Sequence, residues 1–462
     1  MPSAAPLCGR KRLQTFDLSA LPKAPVRVFL RSPMLDRIAR ALLLLFLATI
    51  GVNWPQLPLN ASIADFVFVP LAIAIVAIGI PRSSWHRSDL AIVIYLFGAL
   101  PAIAVSTDLQ VSAIEFLREL YLVAIYIVIA FATRHGFVKT IGRGLALSGT
   151  ILAIAGLLFV ILQLIGGPPW YPMGEVMQLP YLGDTLRLRA LTASEAMFAC
   201  VLTASAPFAI ALCSDRMRQW CAAAIAIVVA AMFTVSHAIA GFSIGVLLSA
   251  WRPFAAWPQL RRLAIAAVVI IVIGFNFAAT ISVRSISRGG SSYTDASNYF
   301  HSVDKGTMHV GSTTIDYDVM SYARIKQVAW RTFLEHPIAG IGLDRFHIAT
   351  MRAYHEGQLP QLYSEIDPHS TLLGRLAESG AIGAATLLFL WIVWIGMARD
   401  CARDSLIGVA AAAAFAGLLV NSLNADIMNF RFLWAIAGLM RGLYDTAPNS
   451  STPLNDHGHA PR

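Results

Sequence analysis

Blocks of about 17 to 22 apolar residues, nearly free of charge, recur along the whole chain, and that is the length a helix needs to cross about 30 Å of hydrocarbon. They are read at 38–54, 62–80, 88–106, 113–132, 145–166, 193–213, 219–235, 237–251, 261–281, 380–398, 404–422 and 427–443. Lipid offers the backbone no hydrogen-bond partners, so such runs span as helices. The chain is 57% hydrophobic and 13% charged, whereas a soluble domain carries roughly a quarter charged residues. A soluble core of this size could not hide so much apolar surface. The sequence therefore predicts an all-α polytopic membrane protein of about twelve transmembrane helices. The seventh and eighth blocks are short, and Ser236-His237 between them marks a turn or a kink.

Lys and Arg gather in every second loop, which sets orientation. The N-terminal tail carries Arg10, Lys11, Arg12, Lys23, Arg27, Arg31, Arg37 and Arg40, and the alternate loops continue with Arg82 and Arg87, Arg134, Lys139 and Arg143, Arg216 and Arg218, Arg252, Arg261 and Arg262, then Arg399 and Arg403. The loops 54–62 and 106–113 have none. Both termini are thus expected in the cytoplasm. A missed pair of spans would leave the alternation intact, so ten or fourteen helices fit the same pattern. The formal charge of +9 is explained by these loops, and no nucleic-acid partner is expected. The expected division is a basic cytoplasmic tail at 1–37, transmembrane helices one to nine at 38–281, an outward loop at 282–379, helices ten to twelve at 380–443, and a disordered cytoplasmic tail at 444–462. No cleavable signal peptide is expected, because the first apolar block starts near Ile38 after a long basic tail. None of the five cysteines, Cys8, Cys200, Cys213, Cys221 and Cys401, lies in the large loop, so no disulfide framework supports it. No CxxC or His/Cys cluster suggests a metal, no P-loop or GxSxG element is present, and no cofactor is expected.

The large loop divides in two. Residues 282–320 are rich in Ser, Thr, Gly and Asp and read as irregular surface. From Tyr322, YARIKQVAWRTFLEHP places Ile325, Val328, Ala329, Thr332 and Phe333 on one stripe, an amphipathic helix closed by Pro337. A glycine turn, AGIGLDRF, leads to a second helix near 344–356, and DPHSTLLGRLAESGAIGAATLLFLW runs into the tenth span.

His369 is the leading catalytic candidate. Asp367 as N-cap and Pro368 at the first helical position would put it in a first turn, where the helix dipole keeps an imidazole neutral, as a general base requires. The competing reading is an interfacial histidine that caps a helix. Arg187 and Arg189 break the charge rule in a shorter outward loop and are candidate anion ligands. Arg324 and Arg331 lie seven apart on one helix face and could clamp a diphosphate, or pair with Asp318, Glu335 or another loop carboxylate. Glu378 could orient a base or a sugar hydroxyl, or pair with Arg375. Arg118, Glu119 and Asp65 interrupt apolar blocks near span ends, where snorkelling is the commoner reading. Gly380 and Gly383 mark a close helix contact.

The segment HPIAGIGLDRF, a polar insert, then PHSTLLGRLAESGAIGA resembles the signature of the O-antigen ligase and O-antigen polymerase superfamily. The ligase motif is His, then Asn, Ser or Gln, nine residues, Gly, two residues, Gly, Thr. His369, Ser370, Gly380 and Gly383 match it, and Ala384 stands where Thr is usual. Arg324, followed by Trp330, matches the family's loop arginine, and Arg187 or Arg189, with Arg189 favoured, matches an arginine before the sixth span. Many relatives have Ser-Arg where this chain has Ser236-His237, which puts a cationic contact there in question and leaves His237 as a supporting residue.

The resemblance implies an all-helical fold similar to the GT-C-like glycosyltransferases that use lipid-linked donors. It implies transfer of O-antigen glycan from undecaprenyl diphosphate to a lipid A-core acceptor at the periplasmic face of a Gram-negative inner membrane, among membrane lipids, without ATP or metal. His369 would take the acceptor proton, and Arg189, Arg324, Arg187 and Arg288 would hold the diphosphate, with inversion at the anomeric carbon. Glu378, Arg331 and His237 would be supporting residues. The rivals are an O-antigen polymerase, a protein O-oligosaccharyltransferase with the same donor, and a membrane transporter. One long loop and about twelve spans favour the ligase, and the absence of an inverted repeat disfavours a transporter.

Overall fold

The computed structural model describes residues 32–446 except 55–60, 82–84, 169, 171, 180–182, 215–218, 235–237, 250–258, 260–261, 264, 268, 271–272, 275–280, 289–290, 295–301 and 362–366. Helices α1 (Pro33–Thr49), α2 (Ile63–Ile78), α3 (Arg87–Val105), α4 (Leu109–Ala132), α5 (Val138–Leu164), α6 (Glu195–Ser214), α7 (Gln219–Met232) and α8 (Ile239–Ser249) coincide with the first eight apolar blocks. The polar loop holds α9 (Ser321–Glu335) and α10 (Phe346–His355), and α11 (Thr371–Asp404), α12 (Leu406–Asn421) and α13 (Arg431–Thr446) complete the chain. Most of the ninth block lies outside the described residues, as do Ser236 and His237. Among the described residues, Arg87–Val105, Leu109–Leu164, Glu195–Cys213 and Thr371–Asp404 are long and apolar enough to cross a membrane, with shorter apolar helices beside them. The long run 109–164 is interrupted at Gly136, whose φ of 84° only glycine adopts readily.

The fold is mostly helical but not wholly so. The irregular surface expected at 282–320 is instead an antiparallel sheet, with β3 (Ile281–Arg288), β4 (Ser291–Thr294), β5 (Ser302–Val310) and β6 (Thr313–Met320) in the order β4-β3-β6-β5. The reason is visible in TTIDYDVM, where Thr, Ile, Tyr and Val alternate with polar residues at the period of a strand. A second hairpin, β1 (Gly174–Leu179) and β2 (Gly183–Leu188), follows α5.

Charges inside the bundle are paired between helices rather than snorkelled. Glu119 of α4 is 1% exposed and pairs with Arg375 of α11, whose guanidinium also lies over the Tyr95 ring of α3 at 5.4 Å. The Tyr95 hydroxyl donates to Glu119 at 3.1 Å. Asp65 of α2 accepts from Arg431 of α13 at 2.6 and 2.7 Å and from Tyr121 of α4 at 2.5 Å. Glutamate, aspartate and arginine at membrane depth therefore face protein, as the cost of leaving them in lipid requires. Arg118 pairs with Glu115 on its own helix at 2.7 Å and reaches Asp344 of the polar loop at 4.0 Å.

The loop after α9 is bound to α11 through two glycines. At Gly380, with φ 62°, the α11 helix breaks its regular bonding, and the Ala377 and Glu378 carbonyls accept from Ile341 and Gly342 at 3.2 and 3.0 Å. The Pro337 carbonyl accepts from Ala381 at 2.8 Å. A Cβ at Gly340 would run into the Glu378 carbonyl, and one at Gly380 into the Ile338 carbonyl. The GIG turn and the motif glycine thus share one backbone-to-backbone contact, a close approach to a loop rather than the helix contact expected of Gly380. Gly340 also has φ 70°. Gly340→Ala is expected to cost about 1–3 kcal/mol from backbone strain alone, read as a lower melting midpoint and faster proteolysis between 336 and 345.

Candidate active site

His369 lies just outside α11, not in its first turn. The helix starts at Thr371 with Ser370 as N-cap. The carboxylate expected to cap it is spent on His369 itself: Asp367 Oδ1 accepts from the His369 backbone N–H at 3.0 Å and lies 2.7 Å from His369 Nδ1. This local turn competes with helix formation, a habit of aspartate, and it leaves His369 at φ 47°. In the neutral ring this contact selects the tautomer with its proton on Nδ1 and its lone pair on Nε2. Nε2 is shut off from solvent and has no hydrogen-bond partner among the described residues. Burial pushes the Asp367 carboxyl up, but the His369 ring and its hydrogen bonds outweigh burial and hold it below the usual carboxylate range.

Beside His369 stands a cluster of two arginines and two glutamates. The Tyr322 ring of α9 is 4.7 Å from the imidazole, and the Tyr322 hydroxyl accepts a hydrogen bond from Arg187. Arg187 Nη2 is 2.5 Å from Glu195 Oε1, and Arg189 Nε is 3.4 Å from Glu195 Oε2. Two guanidinium groups thus share one carboxylate at the start of α6, with Glu175 3.8 Å from Arg187. The backbone that carries them is pinned: Arg189 and Ala190 donate to the Met173 carbonyl at 2.9 Å, and the Leu191 carbonyl accepts from Asn53 and Trp54 at 3.0 and 3.1 Å. The described non-glycine residues with positive φ are Ala190, Leu191, Asp344 and His369. All four lie beside these side chains or the adjoining cavity, and strain of about 1–3 kcal/mol each clusters at functional sites.

Asp367 also lines a cavity of about 200 Å³, together with Glu115, Asp344, Glu378 and Asp426 and with Arg375 in its wall. Asp367 belongs to both the cavity and the histidine pair. The loop 422–430 is stitched to the start of α11 through Thr371: its N–H donates to the Ser422 carbonyl at 3.0 Å, its hydroxyl to Ala425 at 2.9 Å, and Ile427 N–H donates to that hydroxyl at 2.9 Å. Asp426 is held there by the Met428 N–H at 3.1 Å and Asn429 at 3.0 Å. Burial pushes its carboxyl up, against the pull of Arg375. Among the described residues no group of His, Cys, Asp or Glu is arranged to hold a metal ion.

The other expected residues are dispersed. Arg324, in the first turn of α9, donates to Gln327 at 2.9 Å. Arg331 is exposed and joined to Glu335 and Glu356 at 2.9 and 3.1 Å, so the surface ion pair is the reading that fits it. Arg288 ends β3, paired with Thr313 in β6. The β6 end that leads into α9 is therefore roughly 20 Å away along the strand. Glu378 accepts from the Phe346 N–H at 3.3 Å, at the start of α10, while Arg375 takes Glu119 as its partner. Tyr322, Glu195, Glu115 and Asp426 were not singled out from sequence. Glu195 had one available signal, as the acid that follows two unexplained arginines.

No curated protein matches the chain. Residues 221–388 match the family described as O-antigen ligase. That segment contains Tyr322, Arg324, His369, Gly380 and Gly383, while Arg187, Arg189 and Glu195 precede it. The resemblance drawn from His369 and the two glycines is borne out by this match to the family over residues 221–388.

Proposed function

We propose that this chain is an O-antigen ligase that transfers glycan from undecaprenyl diphosphate to a sugar of a lipid A-core acceptor, at the periplasmic surface of a Gram-negative inner membrane. The observation that carries the reading is the Asp367–His369 pair at 2.7 Å, with Nε2 left as an unused base and the Arg187–Arg189 cluster joined to it through Tyr322. In this reading His369 Nε2 takes the proton of the acceptor hydroxyl as that oxygen attacks the anomeric carbon. The glycosidic bond to the diphosphate breaks, and the diphosphate leaves with the bonding electron pair. Arg187 and Arg189 bind it and stabilise its charge, with Arg324 as a further ligand. Asp367 stabilises the imidazolium that forms. Direct displacement inverts the anomeric centre.

Charge divides the two substrates. A carboxylate-lined cavity repels diphosphate and offers acceptors for sugar hydroxyls, so the acceptor is assigned to the cavity side and the donor to the arginine side. Purified protein given undecaprenyl-diphosphate glycan with lipid A-core, with a second donor, or with a pilin-like protein tests the reading. Product with lipid A-core supports it. Product only with the second donor identifies a polymerase, product only on protein identifies a protein O-oligosaccharyltransferase, and no product with any acceptor identifies a non-enzyme. Arg187→Ala and Arg189→Ala are each expected to weaken donor binding about tenfold or more, while Arg331→Ala changes it less than twofold, measured by titration with donor.

A further inference from the structure

A second cavity, of about 340 Å³, lies between α3 and α4. Its wall is apolar, formed by Leu96 of α3 and Val123, Ile127 and Phe131 of α4, with the 80%-exposed Trp85 beside it. Its polar end is formed by Asp89, Arg134 and Arg441. The charges there are unevenly matched. Arg441 bonds Asp89 at 3.0 and 3.1 Å and also pairs with Asp445. Arg134 is left to share that same Asp445. Its side chain is only 7% exposed, and its Nε and Nη1 are buried with no hydrogen-bond partner among the described residues. A buried guanidinium with two unmet donors is costly, so an acceptor brought to it would be strongly favoured.

We propose that this groove binds one anionic phospholipid, with an acyl chain along Leu96 and Ile127 and its phosphodiester against Arg134. An apolar slot that ends in an under-satisfied guanidinium is complementary to such an amphiphile, because a phosphate oxygen accepts from adjacent guanidinium N–H groups. A zwitterionic lipid brings an ammonium along with its phosphate and gains less. The exposed Trp85 lies where an aromatic side chain anchors at the headgroup level. The site is separate from the transfer site. Loop 343–345 docks on the opposite end of α4, where Ser112 donates to the Leu343 carbonyl at 2.9 Å, and the 24 residues of α4 separate the two ends by about 36 Å.

Native mass spectrometry of the purified full-length protein tests this, with phosphatidylglycerol or phosphatidylcholine of the same acyl chains as probes. One phosphatidylglycerol per chain is expected to be retained, roughly tenfold more tightly than phosphatidylcholine. Arg134→Gln should abolish the preference. Ile127→Trp, which fills the groove at a 42%-exposed position without touching the charges, should abolish retention and decides alone if Arg134→Gln does not fold. Equal retention of the two lipids by the wild-type protein, or a preference that survives both substitutions, overturns the proposal.

Discussion

Arg375→Met is expected to lower the stability of the folded protein by about 3–5 kcal/mol, because it strands a buried carboxylate. Glu119 is 1% exposed, and among the described residues its other partner is the Tyr95 hydroxyl at 3.1 Å. Charge alone is not what the pair contributes. Replacing both members with apolar groups of similar volume is often close to neutral, since two desolvation costs vanish with one attraction. The double variant Arg375→Met, Glu119→Leu should therefore recover much of the loss of Arg375→Met. Melting midpoints of the two single variants and the double variant measure the coupling. Additive losses, or a loss below about 1 kcal/mol for Arg375→Met, would show that the contact does not hold α3, α4 and α11 together.

His369→Ala is expected to slow glycan transfer by about 10²- to 10⁴-fold, the usual contribution of a positioned general base. The fold should survive it, since His369 lies outside α11 and the start of that helix is held by Thr371. Asp367→Asn should cost less than His369→Ala, because the imidazole remains while its tautomer and orientation are no longer imposed. The readout that separates positioning from chemistry is donor affinity, which both variants should retain.

Most of the helical framework was legible in the sequence, because apolar runs of membrane length have few alternatives to a helix. The motif around His369 was legible too, and with it a close contact at Gly380, though with a loop rather than a helix. What misled was local competition: Asp367 and Pro368 form a sound helix start, but the Asp367 carboxylate bonds His369 instead. The strands of 281–320 were missed because Ser, Gly and Asp mask a short period-two alternation. Tyr322, Glu195 and Asp426 were out of reach for another reason. Each acquires its role from a contact between distant segments, as do Glu119 and Arg375, and no spacing within one element encodes such a contact. Arg331 shows the converse, since its position on a helix face was right and its partners proved to be the carboxylates of Glu335 and Glu356.

In the proposed mechanism His369 performs the proton transfer while the arginines beside it hold the donor. One measurement separates these roles: a single turnover of wild-type and His369→Ala protein, each first saturated with undecaprenyl-diphosphate glycan, on addition of lipid A-core. Equal donor occupancy is expected in both proteins, with transfer at least about 10²-fold slower in His369→Ala. Transfer at the wild-type rate by folded, donor-saturated His369→Ala protein would contradict this mechanism.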